Sequence, residues 1–363
     1  MSVDPDRRLE PGDRIGILGG GQLGRMLALA AARLGLDAAI FTPDGDSPAV
    51  RVAAHASVAP YEDLDAVRRF ASACAAITYE FENVPVETAR AAGEVSVLRP
   101  GAQALEAAQD RLTEKRFLNT AGAATVAFEP VDDAQGAKAA LEALGGAMVL
   151  KTRRFGYDGK GQARASNPSE AEAAFEAIGA RPAIAEALAP FERELSVVAA
   201  RGLDGAVRAY PLAENRHSDG ILRESLAPAS VTPAMEAEAL RIATAVLDAL
   251  EYVGVVAVEL FALADGSLRV NEIAPRVHNT GHWTMDACGC DQFEQHVRAV
   301  AGWPLGDPAP HSSARMINLI GEDAAEWPRW LEAPVARLHL YAKREIRAGR
   351  KMGHVNLITP LGD

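Results

Sequence analysis

The stretch VVAVELFALADGSLRVNEIAPR, residues 255–276, decides how this chain is read. Two apolar runs rich in β-branched residues flank Asp265-Gly266, a strong hairpin-turn signal. With Asp265-Gly266 as a two-residue turn, Glu259 and Glu272 fall directly opposite each other on one face. Like charges so placed destabilise a sheet unless a cation lies between them. Two carboxylates suit Mg²⁺, which then completes its shell with water and nucleotide phosphates. Asn271 adds a third oxygen, and PRVHNTGHW at 275–283 follows with many hydrogen-bonding side chains, as site loops at strand ends do. The pair points to an ATP-using enzyme. The competing reading is a register one residue away, with one glutamate in solvent.

Composition frames this reading. The chain has 363 residues, 48% hydrophobic and 24% charged, which fits a globular protein of two or three domains. No apolar run is long enough to span a bilayer. Residues 1–14 are charged and lack the apolar centre of a signal peptide. Three cysteines, two of them in Cys288-Gly-Cys290, make no disulfide framework, so a reducing cytoplasm is expected. A net charge of −12 argues against a general nucleic-acid or membrane-surface binder. It leaves room for a local anion site, because Arg337, Lys343, Arg344, Arg347, Arg350 and Lys351 crowd the last stretch, with only Glu345 among them.

Toward the N-terminus, residues 15–18 read as a buried strand. Gly19-Gly-Gly-Gln-Leu-Gly24 then turns into a helix running to about residue 34. Gly19, Gly21 and Gly24 match the dinucleotide fingerprint, with Asp44 at the spacing of the ribose acid, so an NAD-dependent dehydrogenase has to be considered. Glycines there also serve tight strand–helix packing. Strands at 38–41 and 75–79 continue a parallel α/β unit. Glu80 and Glu82 stand at the carboxyl end of the last, where open α/β sheets bind ligands, or else in a solvated loop.

A second unit starts near Asp110-Arg111-Leu-Thr-Glu-Lys115, on a helix. The strand 147–152 carries Lys151 among apolar neighbours, either snorkelling or aimed at an anion. The loop Gly156-Tyr157-Asp158-Gly159-Lys160-Gly161-Gln162 has backbone amides that can approach phosphates, yet it lacks the Walker spacing. Strand 183–185 ends in Glu186, and Glu194 opens the next strand, 195–200. These two carboxylates could hold a nucleotide's amine or ribose hydroxyls, or be ordinary surface acids.

Taken in order, Lys151, the glycine-rich loop, Glu186, Glu194, Glu259 and Asn271-Glu272 resemble the ATP-grasp superfamily. More narrowly, GGGQLGRML at 19–27, RRFGYDGKGQ at 153–162, NEIAPRVHNTGHWT at 271–284 and GRKMGHVN at 349–356 resemble the N5-carboxyaminoimidazole ribonucleotide synthase family, over almost the whole chain. The resemblance implies a ligase of purine biosynthesis. ATP would phosphorylate bicarbonate to carboxyphosphate, and 5-aminoimidazole ribonucleotide would be carboxylated on its exocyclic amine. Arg111, Lys151 and the loop from Gly156 to Gln162 would hold the triphosphate. Glu186 with Ala187, Leu188 and Ala189 would form the adenine hinge, Glu194 would meet the ribose, and His217 would add a contact. Glu259 and Glu272 would carry Mg²⁺ beside Asn271. Lys343 and Arg350 would take the ribonucleotide phosphate. Arg276, His278 and Asn279 would orient bicarbonate. Tyr157, Asp158 and Lys160 would close over the imidazole, with Asp158 among the catalytic groups. Gln22, Leu23 and Glu80 would reach the substrate from the first unit.

The resemblance also implies an α/β, three-domain ATP-grasp architecture: a Rossmann-like parallel-sheet pre-ATP-grasp domain (1–108), an ATP-grasp domain with a lid (109–303) and a small C-terminal domain (304–363). A homodimer and small-molecule substrates go with it; nucleic acid and membrane do not. Two departures stand out. Lys160 replaces the arginine more usual there, losing the planar fork, and the chain ends soon after residue 356. His278, His282, Cys288 and Cys290 form a zinc-like grouping, but the Pro275/Gly281 context is not helical. Residues 235–250 read as an amphipathic core helix, and Trp303, Trp327 and Trp330 as packing residues of the third domain. Beside the dehydrogenase, a catalytically silent nucleotide sensor and a sibling ligase using formate or an amino acid remain as alternatives.

Overall fold

The computed structural model describes residues 3–156 and 160–361. Tyr157, Asp158 and Gly159, all singled out above, lie outside the described residues.

The first unit is a five-stranded parallel sheet in the order His55–Val58, Asp37–Thr42, Arg14–Leu18, Ala76–Tyr79, Val97–Leu98. Its strands Arg14–Leu18, Asp37–Thr42 and Ala76–Tyr79 are buried on both faces, which explains their apolar runs, while the edge strand His55–Val58 is largely exposed. The helix Gln22–Arg33 follows the glycine turn and packs Leu23, Met26, Leu27 and Ala31 inward. A four-stranded antiparallel sheet forms a second layer, ordered Phe128–Val131, Ala183–Ala187, Met148–Thr152, Gln162–Ala165. Its helices Ala134–Ala143 and Pro168–Ala177 share one small apolar core with it. Asp133 and Asn167 cap those helices through their side chains.

The centre is a nine-stranded sheet. It runs Leu268–Ala274, Gly254–Leu263, Phe191–Arg201, Ala213–Ser218, Ile221–Ala227, Ser312–Ile320, Lys351–Pro360, Ala336–Leu340, with Val207–Ala209 paired to the side of Phe191–Arg201. The C-terminal strands thus continue the central sheet rather than building a separate layer. Alternate residues serve two cores: Val198, Ala200, Val255 and Ala257 face one, and Val197, Ala199, Val256 and Val258 the other. Helix Pro233–Ala249, started by Thr232 and Pro233, closes the second core with Ile242, Val246 and Leu247. Helix Gln292–Val300 closes the first and joins it to the N-terminal unit.

The decisive hairpin reaches the expected pairing by a different route. Glu259 does pair with Glu272, but the turn is not a two-residue one. The Leu263 and Gly266 N–H groups bond Ser267 O and Leu263 O, and Gly266 sits at φ +81°, so three residues form the loop. That loop sets Leu260 opposite Val270, and a bulge between Glu259 and Leu260 then absorbs Asn271. The bulge, not the turn, brings the carboxylates face to face.

Other differences are local. Glu186 lies inside Ala183–Ala187 instead of following its strand, and Glu194 lies within Phe191–Arg201 instead of opening it. Trp303 packs toward the first unit, donating to Leu9 O at 2.7 Å, and Trp327 is 45% exposed, so neither is a packing residue of the C-terminal part.

Candidate active site

Glu272 is held by Arg111, whose Nη1 donates to Oε2 at 2.6 Å while its Nη2 reaches Gly156 O at 3.3 Å. Burial works against ionising Glu272, yet the Arg111 charge and hydrogen bond outweigh it and pull the carboxyl down to about 2. Its partner behaves oppositely. Burial, then the facing Glu272, pushes Glu259 up to about 7. Asn271 Oδ1, beside the pair, is buried without a hydrogen-bond partner among the described residues. Such an oxygen costs free energy unless something binds it. No group of three or more His, Cys, Asp or Glu suited to a metal occurs among the described residues.

The anion-binding groups gather along one wall. Lys151 Nζ donates to Glu186 Oε2 at 2.8 Å, and Lys115 Nζ lies 3.6 Å from the same oxygen. Burial opposes the charge on Glu186, but the two lysines hold it below the usual carboxylate range. Its other oxygen, Oε1, is buried and unpartnered among the described residues, as an acceptor for an incoming amine would be. Ala187 N bonds Ala127 O, and Leu188 is 41% exposed at the strand's end. Glu194 Oε2 sits 2.8 Å from His217 Nδ1; burial disfavours the imidazolium, but Glu194 raises the His217 pKa overall. The root of the glycine loop is pinned by Arg153, which donates to Asp110, the N-cap of helix Arg111–Thr120. Lys160 is exposed.

At the other end His278 Nε2 approaches Glu259 Oε1 at 3.5 Å, and burial together with Arg276 keeps the imidazole neutral. Lys351, counted only as part of a basic run from sequence, is close enough to influence both groups. Lys343 Nζ donates to Lys351 O at 2.7 Å and lies over the Tyr341 ring, while Arg350 Nη1 reaches Glu345 O.

Several expected contacts are redirected. Arg276 is ion-paired with Glu82, so it ties the loop to the first unit before any substrate arrives. Asn279 exchanges both of its amide hydrogen bonds with Asn318, at 2.9 and 2.6 Å, which makes it an anchor of the loop rather than a free bicarbonate ligand. Leu23 is 7% exposed and belongs to the core, so its side chain does not reach a substrate; Gln22 is half-buried beside it. Glu80 is likewise turned inward, accepting Gly21 N at 2.8 Å and Gly24 N at 3.1 Å. A Cβ on Gly19 would lie 2.5 Å from Glu80 Cγ, and one on Gly21 2.9 Å from Oε1. The three glycines therefore make room for a carboxylate at the helix N-terminus, where a dinucleotide would place its pyrophosphate. Asp44 lies exposed in a turn with Asp46. These two facts remove the dehydrogenase reading. Cys288 and Cys290 are buried thiols pushed up to about 12 by burial, and His282 Nδ1 is engaged by Gln292, so the zinc-like grouping does not converge.

Two charged residues at the site were not singled out from sequence: Glu114, 2% exposed, and Lys115, fully buried. The signal was present, since Leu112, Lys115 and Leu118 follow the helical period of the inward face.

These burials fix the pH response of the metal-free protein. His278, His282, His296 and His354 are kept neutral by burial, so their contribution is lost as pH falls below the unfolded value of about 6.5. Glu259 and Glu114, raised to about 7 and about 8, are favoured as protonated groups and cost stability as pH rises toward those values. Glu80 and His217, also raised, pull the same way as Glu259 and Glu114, but the four imidazoles are all held far below their ordinary value and dominate on the acid side. The melting temperature without metal is therefore expected to peak near neutral pH, fall clearly by pH 5, and fall modestly by pH 8. A scanning fluorimetry series in EDTA that rises toward pH 5 would contradict this.

An antiparallel sheet carrying paired glutamates, with a lysine-bearing antiparallel layer beside it, fits the ATP-grasp class of ligases. Family profiles agree along the chain: a ribonucleotide synthetase preATP-grasp domain at 13–109, an ATP-grasp domain at 116–293, and a phosphoribosylaminoimidazole carboxylase C-terminal domain at 314–361. The N5-carboxyaminoimidazole ribonucleotide synthase of Brucella melitensis is 52% identical over 97% of this chain and 98% of its own. An ADP complex of an N5-carboxyaminoimidazole ribonucleotide synthetase superposes with TM-score 0.94 at 40% identity, covering 97% of this chain and 94% of that one. The Aspergillus clavatus enzyme in complex with ADP and 5-aminoimidazole ribonucleotide superposes at 0.90, with 31% identity over 96% and 94% of the two chains. The chain belongs to the N5-carboxyaminoimidazole ribonucleotide synthase family.

Proposed function

We propose that this protein is the ATP-dependent ligase that carboxylates 5-aminoimidazole ribonucleotide with bicarbonate, yielding N5-carboxyaminoimidazole ribonucleotide, ADP and phosphate, through the residues described above. The observation that carries the residue assignment is Glu259 facing Glu272 across a bulge, with the unpartnered Asn271 Oδ1 beside them. Glu259 and Glu272 would hold Mg²⁺, with Asn271 alongside; the ion would supply positive charge that offsets the charge of the nucleotide phosphates.

The remaining work falls to the chain's own groups. Arg111 and Lys151 place positive charge where the transferred phosphoryl gains negative charge, and the glycine loop from Gly156 to Gln162 adds amides and a lid. Glu186, with Oε2 fixed by lysines, offers Oε1 to the adenine amine beside Ala187, Leu188 and Ala189. Glu194 and His217, already paired, take the ribose side. Neutral His278 lies beside Glu259 and can orient bicarbonate by hydrogen bonding, with Arg276 set in place by Glu82 and the loop anchored by Asn279. Carboxyphosphate is a mixed anhydride that water destroys, so the loop must close before it forms. Lys343 and Arg350 would bind the ribonucleotide phosphate, with Lys160 toward the imidazole; the same role expected of Tyr157 and Asp158 falls outside the described residues.

The domain boundaries at 108/109 and 303/304, a homodimer and a cytoplasmic setting belong to this same reading. No helix among the described residues is long and apolar enough to cross a membrane.

The deciding experiment is ADP release from Mg²⁺-ATP with bicarbonate and 5-aminoimidazole ribonucleotide added separately and together. Stimulation by the ribonucleotide that depends on bicarbonate supports the reading. Equal stimulation by formate or an amino acid would move it to a sibling ligase, and ATP binding without turnover would leave a sensor. Lys343→Ala is expected to raise KM for the ribonucleotide roughly 10–100-fold, the worth of one charge-assisted hydrogen bond. The KM for ATP should stay close to wild type. An equal rise in both constants would remove Lys343 from the phosphate site.

A further inference from the structure

The strand Leu268–Ala274 is an edge of the central sheet, and the bulge at Asn271 interrupts its pairing with Gly254–Leu263 beside Glu272. An edge strand at a bulge is the least constrained place in a sheet to mount a ligand that must be held within tenths of an ångström. On the outer side the Val270 N–H is tied to Ala124 O at 2.8 Å, and helix Arg111–Thr120 supplies the constraint beyond it, at the bulge itself. Lys115 Nζ donates to Asn271 O at 2.6 Å, and Glu114 Oε1 accepts Ile273 N–H at 2.7 Å. These bonds bracket Glu272 on both sides, and Arg111 from the same helix grips its carboxylate. Two adjacent side chains thus continue along the outer edge, past the bulge, the pairing that Val270 makes with residues 124–125.

We infer that Glu114 and Lys115 form a clamp that fixes the backbone around Glu272, making them positioning residues for the cation–nucleotide site; this rests on the assignment of Glu259 and Glu272 proposed above. Packing alone does not account for them. Leu112 and Leu118 on the same face show that apolar side chains fill this layer. A buried lysine and glutamate are costly there unless each is engaged, and apolar replacements of similar size are often as stable or more so. Lys115 also lies 3.6 Å from Glu186 Oε2, so one ammonium links the cation end of the nucleotide site to its adenine end.

The test uses Mn²⁺ as the probe, titrated into the full chain with saturating ADP and followed by electron paramagnetic resonance. Lys115→Met and Glu114→Leu are each expected to weaken Mn²⁺ binding about 10–100-fold, the usual loss when a residue orienting a metal ligand is removed. Glu114→Gln keeps an acceptor for Ile273 N–H and should stay within about threefold of wild type on the same grounds. Wild-type Mn²⁺ affinity in both Lys115→Met and Glu114→Leu, even with lowered melting temperatures, would overturn the clamp. If Lys115→Met fails to fold by circular dichroism, the contrast between Glu114→Leu and Glu114→Gln decides alone. Glu272→Gln in the same titration separates the two levels: its loss of Mn²⁺ binding supports the cation site whatever the clamp variants do. Wild-type affinity in Glu272→Gln would overturn the cation site and the clamp together.

Discussion

The Glu272→Gln protein is expected to release ADP about 10³-fold more slowly than wild type under saturating substrates, the scale of losing one preorganised group at a transferring phosphoryl. Glutamine keeps the shape and one acceptor oxygen, so Arg111 retains a hydrogen bond but loses its counter-charge. Glu259, no longer facing a carboxylate, becomes easier to ionise. That partly offsets the cost of a less satisfied Arg111, so the fold should survive with a modest change in melting temperature. Metal-free ADP binding should persist, because the contacts around Glu186 and Glu194 are untouched. Near-wild-type turnover in this variant would remove Glu272 from the metal site.

Lys151→Ala should lower kcat/KM for ATP by about 10²–10³-fold if, as proposed, the group offsets the charge of the transferred phosphoryl. The substitution also strips Glu186 of its 2.8 Å partner and leaves Lys115, at 3.6 Å, and the Arg111 charge to balance a carboxylate that is 3% exposed. Glu186 would then drift toward its protonated form and lose value as an acceptor for the adenine amine. The loss should therefore appear in both KM for ATP and kcat, while KM for the ribonucleotide changes little. Lys343→Ala is expected to do the reverse, and steady-state kinetics on the two proteins distinguishes the two ends of the site. A Lys151→Ala enzyme with unchanged ATP kinetics would mean that the lysine serves only to neutralise Glu186.

Much of this was legible in the order of the residues. Alternating apolar strands, glycine turns and capping residues are local signals, so the parallel first unit, the amphipathic helix Pro233–Ala249 and the hairpin carrying Glu259 and Glu272 could be read directly. The segments at 153–162, 271–284 and 349–356 carried the family, since they hold its chemistry in a fixed order. Tertiary structure alone decided which polar groups are already occupied. Glu80 fills the helix N-terminus that the glycines seemed to reserve for a dinucleotide, Asn279 is consumed by Asn318, and Arg276 is held by Glu82. Each partner lies tens to hundreds of positions away in the chain, and no local period reports it. The same holds for the clamp of Glu114 and Lys115 on the edge strand, more than 150 positions away in the chain. Sequence determined which side chains could do this chemistry; long-range pairing determined which of them are left free to do it.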